Sequence, residues 1–141
     1  MKVSISEILQ KCDKLKARKD KVTFLKNNSS PALKMILGYC FDPRIKWMLP
    51  EGKPPFKLQP READLQNVLF AEIRRLKIFI NSVEYKDVKP IRRETLFVQF
   101  LESLDPDDAL LIASIKDRIM PYKTVTKDVV AQAFPNLAKE W

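Results

Sequence analysis

The sequence predicts a single compact all-α domain of about six to seven helices with one long, ordered, proline-rich loop. Only two of its 141 residues are glycine, which leaves few places for hairpin turns or phosphate-cradling loops. Apolar residues recur at helical spacing along most of the chain. The ten prolines lie mostly at apparent helix boundaries and in one loop. A chain of this length, 45% hydrophobic, can bury a core without disulfides or metals.

Residues 1–40 are predicted to form basic N-terminal helices. Ser4 is the predicted N-cap of the first, whose apolar stripe ends near residues 15–18. A short second helix is expected over residues 20–26, and Ser30 followed by Pro31 starts a third. The apolar residues expected to be buried are Ile5, Ile8, Leu9, Cys12, Leu15, Val22, Leu25, Leu33, Ile36, Leu37 and Cys40.

Residues 41–61 have no helical period and contain five prolines and one of the two glycines. Loops of this length without regular structure are uncommon in compact domains and are often functional. Prolines restrict the backbone and reduce the entropy lost on ordering. We therefore expect an ordered loop docked on the domain and not a flexible linker.

Residues 62–141 are predicted to form the helical core. A long helix is expected from Glu62 to about Asn81, with apolar residues on one face. After a break at residues 120–122, Thr126 is expected to cap a last short helix that ends at Pro135.

Between these helices, residues 90–116 are predicted to form the helical hairpin at the centre of the core. Asp105 is a good N-cap, and Pro106 fits the first helical position because it lacks a donor that would be unpaired there. Asp107 and Asp108 then lie in the first turn, where the helix dipole favours carboxylates. The second helix is apolar almost all round, which predicts burial on several sides.

Two runs carry a resemblance to known proteins. FDPRIKWMLPEGKPPFK (41–57) and RRETLFVQFLESLDPDDA (92–109) resemble a family of small uncharacterised proteins of T4-like tailed bacteriophages, including those of marine cyanobacteria. Spaced dipeptides further on, such as Lys116-Asp117, extend the resemblance over nearly the whole chain. Ser103 and Thr124 depart from the pattern, where glycine is more usual. The resemblance implies a phage product acting in the cytoplasm of an infected bacterium, and it implies no activity or cofactor.

The net charge of +8 is unevenly distributed. Residues 1–60 hold 13 Lys/Arg against 5 Asp/Glu, whereas residues 61–141 hold 13 against 13. This asymmetry indicates non-specific contact with nucleic-acid phosphates, although a solvated basic surface has the same pattern. The predicted phosphate-binding residues are Lys11, Lys14, Arg18 and Lys21 on the N-terminal helices and Arg44, Lys46 and Lys53 in the loop. Trp47 and Phe56, between the loop bases, could add base stacking or could simply anchor the loop.

Enzymatic activity is not expected. The chain has no histidine, so the commonest general base and the Ser-His and Cys-His nucleophile systems are excluded. Gly38 and Gly52 stand alone, so no phosphate-binding glycine motif is present. The acidic cluster at residues 105–108 is interpreted as helix capping, with a carboxylate-bound metal as the minor alternative. We expect no cofactor, no metal and no small-molecule substrate. Cys12 and Cys40 are predicted to be buried reduced thiols.

The alternative function is a protein–protein adaptor or an inhibitor of a host factor. Under this hypothesis the loop presents its interface through Trp47, Met48, Leu49, Pro50 and Phe56. The exposure of Trp47 and Phe56 separates an interface from a structural loop. No apolar run has the length of a membrane span, and no signal peptide precedes the first helix, so a cytoplasmic protein without membrane contact is expected.

Overall fold

The structure is a computed structural model, and it describes residues 3–60, 63–139 and 141. The α-helices are α1 (Ile5–Lys14), α2 (Arg18–Asn27), α3 (Pro31–Phe41), α4 (Val68–Glu72), α5 (Pro90–Glu102), α6 (Pro106–Lys116) and α7 (Lys127–Ala133). Two 3₁₀ segments, Ile73–Phe79 and Val83–Tyr85, lie between α4 and α5. Within the described ranges no strand forms, apart from one isolated antiparallel bridge between Trp47 and Ile80. The predicted all-α fold is confirmed.

Four helices begin at the predicted caps. The side-chain oxygens of Ser4, Ser30, Asp105 and Thr126 accept hydrogen bonds from backbone N–H groups two or three residues later, at 3.1–3.3 Å. These bonds satisfy donors that have no partner within the helix. The local sequence therefore determines where α1, α3, α6 and α7 start.

Helix α6 is the centre of the molecule. It packs against α1, α3 and α5, and its buried residues lie on several sides. Helix α2 packs instead against α7, which brings the N-terminal and C-terminal parts of the chain together. The predicted hairpin of α5 and α6 is therefore the core, and α1, α2 and α7 form one edge of it.

The predicted long helix over residues 62–81 is wrong. Glu62 lies outside the described residues, α4 has only five residues, and the chain continues as the 3₁₀ segment Ile73–Phe79. Three residues of this segment are buried, Ile73, Leu76 and Phe79, and they are spaced by three. A 3₁₀ helix has three residues per turn, so this spacing puts them on one side. The apolar pattern identified the buried side chains but not the helix type.

Neither of the two positions where glycine was expected from the resemblance requires it. Ser103 has φ −88°, and Arg118 is the one non-glycine residue of the described chain with positive φ. The turns at Ser103 and Thr124 therefore suit ordinary side chains.

Both cysteines are buried and unpaired, as predicted. Burial raises the pKa of the Cys40 thiol to about 11, so this thiol stays protonated at neutral pH. Across the described part of the chain, no helix has the length and apolar character needed to cross a membrane.

Candidate nucleic-acid interface

Lys21, one of the predicted phosphate-binding residues, is not on the surface. It is 6% exposed, and its ammonium donates to the carbonyls of Cys12 and Asp13 at 3.1 Å and to the Thr124 hydroxyl at 2.8 Å. The last carbonyls of a helix have no partner within it, and a cation there complements the helix dipole. Lys21 therefore caps the end of α1. The prediction that it lines an exposed basic face is wrong.

Thr124 connects the segment that precedes α7 to the C-terminal end of α1. Its N–H donates to Asp13 Oδ1 at 2.9 Å, and its hydroxyl contacts the same carboxylate. These hydrogen bonds, the side-chain one above all, hold the pKa of Asp13 below its usual range. The contact, which we call the Asp13–Thr124 clip, fixes the segment that leads into α7 beside the turn between α1 and α2.

The Asp13–Thr124 clip places further positive charge beside the N-terminal bases. Lys123 precedes Thr124 and Lys127 begins α7, and both are exposed. We define the basic face as the exposed bases grouped by this arrangement: Lys11, Lys14, Lys16, Arg18, Lys19, Lys123 and Lys127. Lys123 and Lys127 were not predicted, since residues 61–141 carry no net charge and no local signal marks them.

Acidic neighbours offset only part of this charge. Lys11 lies 3.7 Å from Glu7 and Arg18 lies 3.8 Å from Asp128, and both pairs are exposed. Exposed pairs contribute little free energy, so these bases can exchange their partners for phosphates. Lys14, Lys16 and Lys19 have no ion pair with any described residue. The basic face therefore keeps a positive balance.

The proline-rich loop is ordered and docked on the domain, as predicted. Lys116, 4% exposed, donates from its ammonium to the carbonyls of Pro50 and Gly52 and to Asp117, at 2.6–2.7 Å. The N–H of Lys57 donates to the Glu102 carboxylate at 2.7 Å. The loop is thus tied to the end of α6 near residues 50–52 and to the end of α5 near residue 57. Arg61 lies outside the described residues.

Trp47 is an anchor of this loop. It is half-buried, its indole N–H donates to the carbonyl of Tyr39 at 3.0 Å, and its ring packs edge-on against Tyr39 and Phe97. On either side of it, Met48 N–H donates to Phe79 and Asn81 N–H donates to Lys46. These contacts fix the ring to the core. The structure thus favours the anchoring interpretation over the stacking one.

The other predicted loop residues differ in exposure. Arg44 pairs with Asp42, its guanidinium donating to both carboxylate oxygens at 2.9–3.1 Å, and this lowers the pKa of Asp42. Lys53 lies over the ring of half-buried Phe56, with its ammonium 5.7 Å from the ring centre. Lys46 is exposed.

The predicted apolar interface residues of the loop also differ in their exposure to solvent. Met48 is 48% exposed and Pro50 is exposed, whereas Leu49 is partly buried against the core. The loop therefore presents Met48 and Pro50 to solvent and uses Trp47 and Leu49 to hold itself in place.

The predicted bases lie on two elements, the N-terminal helices and the proline-rich loop. These two elements are held by opposite ends of α6. The first turn of α6 holds α1, because Ser6 N–H donates to Asp108 Oδ1 at 2.9 Å. The last turn holds the loop, through Lys116. The structure therefore describes a basic face on one edge of the core and a separate loop surface.

The acidic cluster of residues 105–108 is used within the fold. Asp105 caps α6, and Asp108 is fully buried against Ser6. The capping interpretation is therefore confirmed for Asp105, and Asp108 serves as an attachment point for α1.

An open groove separates the loop from α5. It has a volume of about 730 Å³, and its walls are Pro50, Pro54 and Pro55 of the loop and Ile91 and Val98 of α5. We call it the α5 groove. Its size is in the range of small-molecule and peptide pockets.

Comparison with known proteins places the chain in a family. The model of a family of unknown function, DUF6433, matches residues 8–121. The protein belongs to this family. The match includes α1 to α6 almost entirely, with the loop and the α5 groove. No curated protein and no solved structure matches the chain.

Proposed function

We propose that this protein is a non-enzymatic bacteriophage accessory protein that binds nucleic acid, or a complex that handles it, through the basic face. The observation that carries the proposal is the grouping of seven exposed bases from two distant segments at the turn between α1 and α2. Lysines contact phosphates as point charges and read no sequence, so the expected binding is non-specific. The resemblance of residues 41–57 and 92–109 to phage proteins supports the phage assignment and the cytoplasm of an infected bacterium as the location.

The preferred ligand is a duplex backbone. Single-strand binders combine charge with aromatic platforms. On the described surface, Trp47 is held by the core and Phe56 is covered by Lys53, and both belong to the loop and not to the basic face. The basic face consists of six lysines and Arg18, and such a surface of positive charges suits phosphates displayed along a duplex.

Charge reversal tests the proposal. The triple variant Lys11→Glu, Lys14→Glu, Arg18→Glu is expected to weaken binding to a duplex of about 20 base pairs by at least tenfold, or about 1.4 kcal/mol. The three side chains are exposed, so the fold should be retained, which circular dichroism checks. Fluorescence anisotropy measures the affinity.

A control variant shows whether the loss of binding depends on where the bases lie or only on the net charge of the protein. Arg74→Glu, Lys77→Glu, Lys86→Glu changes the net charge equally at exposed bases outside the basic face. This variant should bind within about threefold of the wild type. Equal loss in both triple variants would show that only total charge matters, and the basic face would not be the site.

The loop surface supports a second candidate function, contact with a host or phage protein. The specific observation is that Met48 is 48% exposed on a loop tied at both ends, next to Leu49 and Pro50, which line the α5 groove. Since Trp47 is an anchor, the substitution that tests this candidate is Met48→Ala and not a change at Trp47.

A further inference from the structure

The α5 groove is lined by a helical face that no other element of the described chain covers. Ile91, Glu94, Thr95 and Val98 follow the spacing that aligns residues along one side of an α-helix. Ile91 is 79% exposed, although most large apolar residues of the chain are packed in the core. Phe97 forms part of the floor. An exposed isoleucine at the mouth of an apolar groove indicates contact with something outside the domain.

The opposite wall of the groove, formed by the loop, is held in place by hydrogen bonds at both of its ends. Lys116 and Asp117 bind the backbone around Gly52, and Glu102 binds the N–H of Lys57. Pro54 and Pro55 lie between these two attachments and are restricted by their rings. The loop segment therefore stands off α5 as a rigid wall, and the groove exists before any ligand enters it.

Two carboxylates line the groove in a protein of net charge +8. Glu51 lies on the loop wall and Glu94 on the helix wall, both are exposed, and neither has an ion pair or hydrogen bond with any described residue. Of the lysines that line the groove, Lys116 is paired with Asp117, whereas exposed Lys53 lies over Phe56 and keeps its charge, so the two carboxylates outnumber the one ammonium that has no carboxylate partner. Unpaired negative charge over an apolar floor complements a positively charged, apolar ligand.

The backbone of the loop wall offers little for main-chain recognition. Its prolines have no N–H, and the carbonyls of Pro50 and Gly52 already accept from Lys116. A bound segment would therefore be held by side-chain contacts and charge and not by strand pairing.

We propose that the α5 groove binds a segment of a partner protein in which large apolar residues alternate with arginine or lysine. The apolar side chains contact Ile91, Phe97 and Val98, and the basic groups pair with Glu51 and Glu94. This inference does not depend on nucleic-acid binding, and it gives the second candidate function a defined site and partner chemistry.

Two synthetic probes test the proposal. One is a blocked seven-residue peptide in which leucine alternates with arginine, and the other has glutamate in place of each arginine. With methyl-labelled full-length protein, the arginine peptide is expected to shift the Ile91 and Val98 methyl signals in a saturable manner. The glutamate peptide is expected to leave them unchanged. Equal shifts with both peptides, or shifts confined to other methyl groups, would overturn the proposal.

Surface variants with matched controls locate the site. Glu51→Gln with Glu94→Gln should weaken the arginine peptide roughly threefold to tenfold, as expected for two exposed charge pairs. Glu84→Gln with Asp87→Asn removes two exposed carboxylates elsewhere and should change nothing. Ile91→Ser should likewise reduce binding, whereas Val83→Ser, at 80% exposure outside the groove, should not. Equal effects from the groove variants and their controls would contradict the assignment.

Discussion

The most deeply buried carboxylate among the described residues is that of Asp108. Asp108 is fully buried, its Oδ1 accepts from Ser6 N–H, and its Oδ2 has no hydrogen-bond partner among the described atoms. Burial raises the pKa of Asp108 to about 6, with smaller contributions from Asp105 and Asp107, while the Ser6 hydrogen bonds oppose the shift. The charged form of Asp108 is therefore unfavourable in the folded state.

This pKa predicts how stability varies with pH. The folded protein binds the Asp108 proton more tightly than the unfolded chain, so the free energy of unfolding should rise as the pH falls from 7.5 to 5. A shift from 3.8 to about 6 corresponds to about 3 kcal/mol over the full transition. The chain has no histidine, and the lowered pKa values of Asp13 and Asp42 affect stability only at more acidic pH. Urea denaturation at several pH values measures the trend.

Asp108→Asn is the matched substitution. It keeps an acceptor for Ser6 N–H and removes the titrating group, although it buries an amide N–H₂. In Asp108→Asn the free energy of unfolding should no longer rise between pH 7.5 and 5. At pH 7.5 this variant should be more stable than the wild type by about 1 kcal/mol. An unchanged pH dependence in this variant would assign the titration to another group.

Residue roles were the least predictable part of the sequence. Lys21 and Lys14 look alike in sequence, yet Lys14 is exposed, whereas Lys21 lies in α2, which packs against α1, and caps the end of α1. Trp47 could have been a platform or an anchor, and only the position of Tyr39 settles it. Such roles depend on how one element packs against the next, which the local sequence pattern does not specify.

At the scale of elements, the end of α6 organises the loop. Arg118 follows α6 with φ 65°, and the N–H groups of Arg118 and Ile119 donate to Ile115 and Ser114 in the pattern of a Schellman cap. This conformation is unfavourable for a side chain other than glycine. The Arg118 guanidinium donates to the carbonyl of Ile45 at 2.9 Å, which links the cap to the loop.

The loop attachment predicts the effect of removing Lys116. Lys116→Met keeps the length of the side chain but leaves two loop carbonyls without their donor, and the Asp117 carboxylate keeps the N–H of Gly52 but loses the ammonium. Breaking a buried ion pair of this kind should cost about 3 kcal/mol of unfolding free energy. The loop should also become sensitive to a glutamate-specific protease at Glu51, which mass spectrometry of the fragments detects.

Lys86→Met provides the comparison for this change, since Lys86 is exposed. It should alter neither the unfolding free energy nor the cleavage rate at Glu51. If Lys116→Met also left the unfolding free energy and the cleavage rate unchanged, Lys116 would not be the main attachment of the loop. The loop would then be held by Trp47 and its neighbours.

Element boundaries followed from the sequence where side chains act locally. The caps of α1, α3, α6 and α7 depend on residues two or three positions apart, so the sequence predicts them directly. The helix expected over residues 62–81 failed because α and 3₁₀ segments bury similar apolar patterns, and the difference is set by packing against the loop and α5. The spacing of Ile73, Leu76 and Phe79 was the available signal.

At the scale of the molecule, the basic face is a tertiary feature. Composition located the excess charge in residues 1–60, and this was sufficient to predict a basic surface on the N-terminal helices. Composition could not assign Lys123 and Lys127 to this surface, because they are brought there by the Asp13–Thr124 clip, which joins positions 111 residues apart. The α5 groove was likewise invisible in the sequence, because its two walls come from the loop and from α5.

The most direct test of nucleic-acid binding is the dependence of duplex affinity on salt. Phosphate contacts release counterions, so log K should fall linearly with log salt, by about 0.9 per phosphate contacted. With about five contacts from the basic face, affinity should fall a hundredfold or more between 50 and 200 mM salt. The Lys11→Glu, Lys14→Glu, Arg18→Glu variant should show a slope shallower by about three. A wild-type affinity nearly independent of salt, or a slope that the triple variant leaves unchanged, would contradict binding through the basic face.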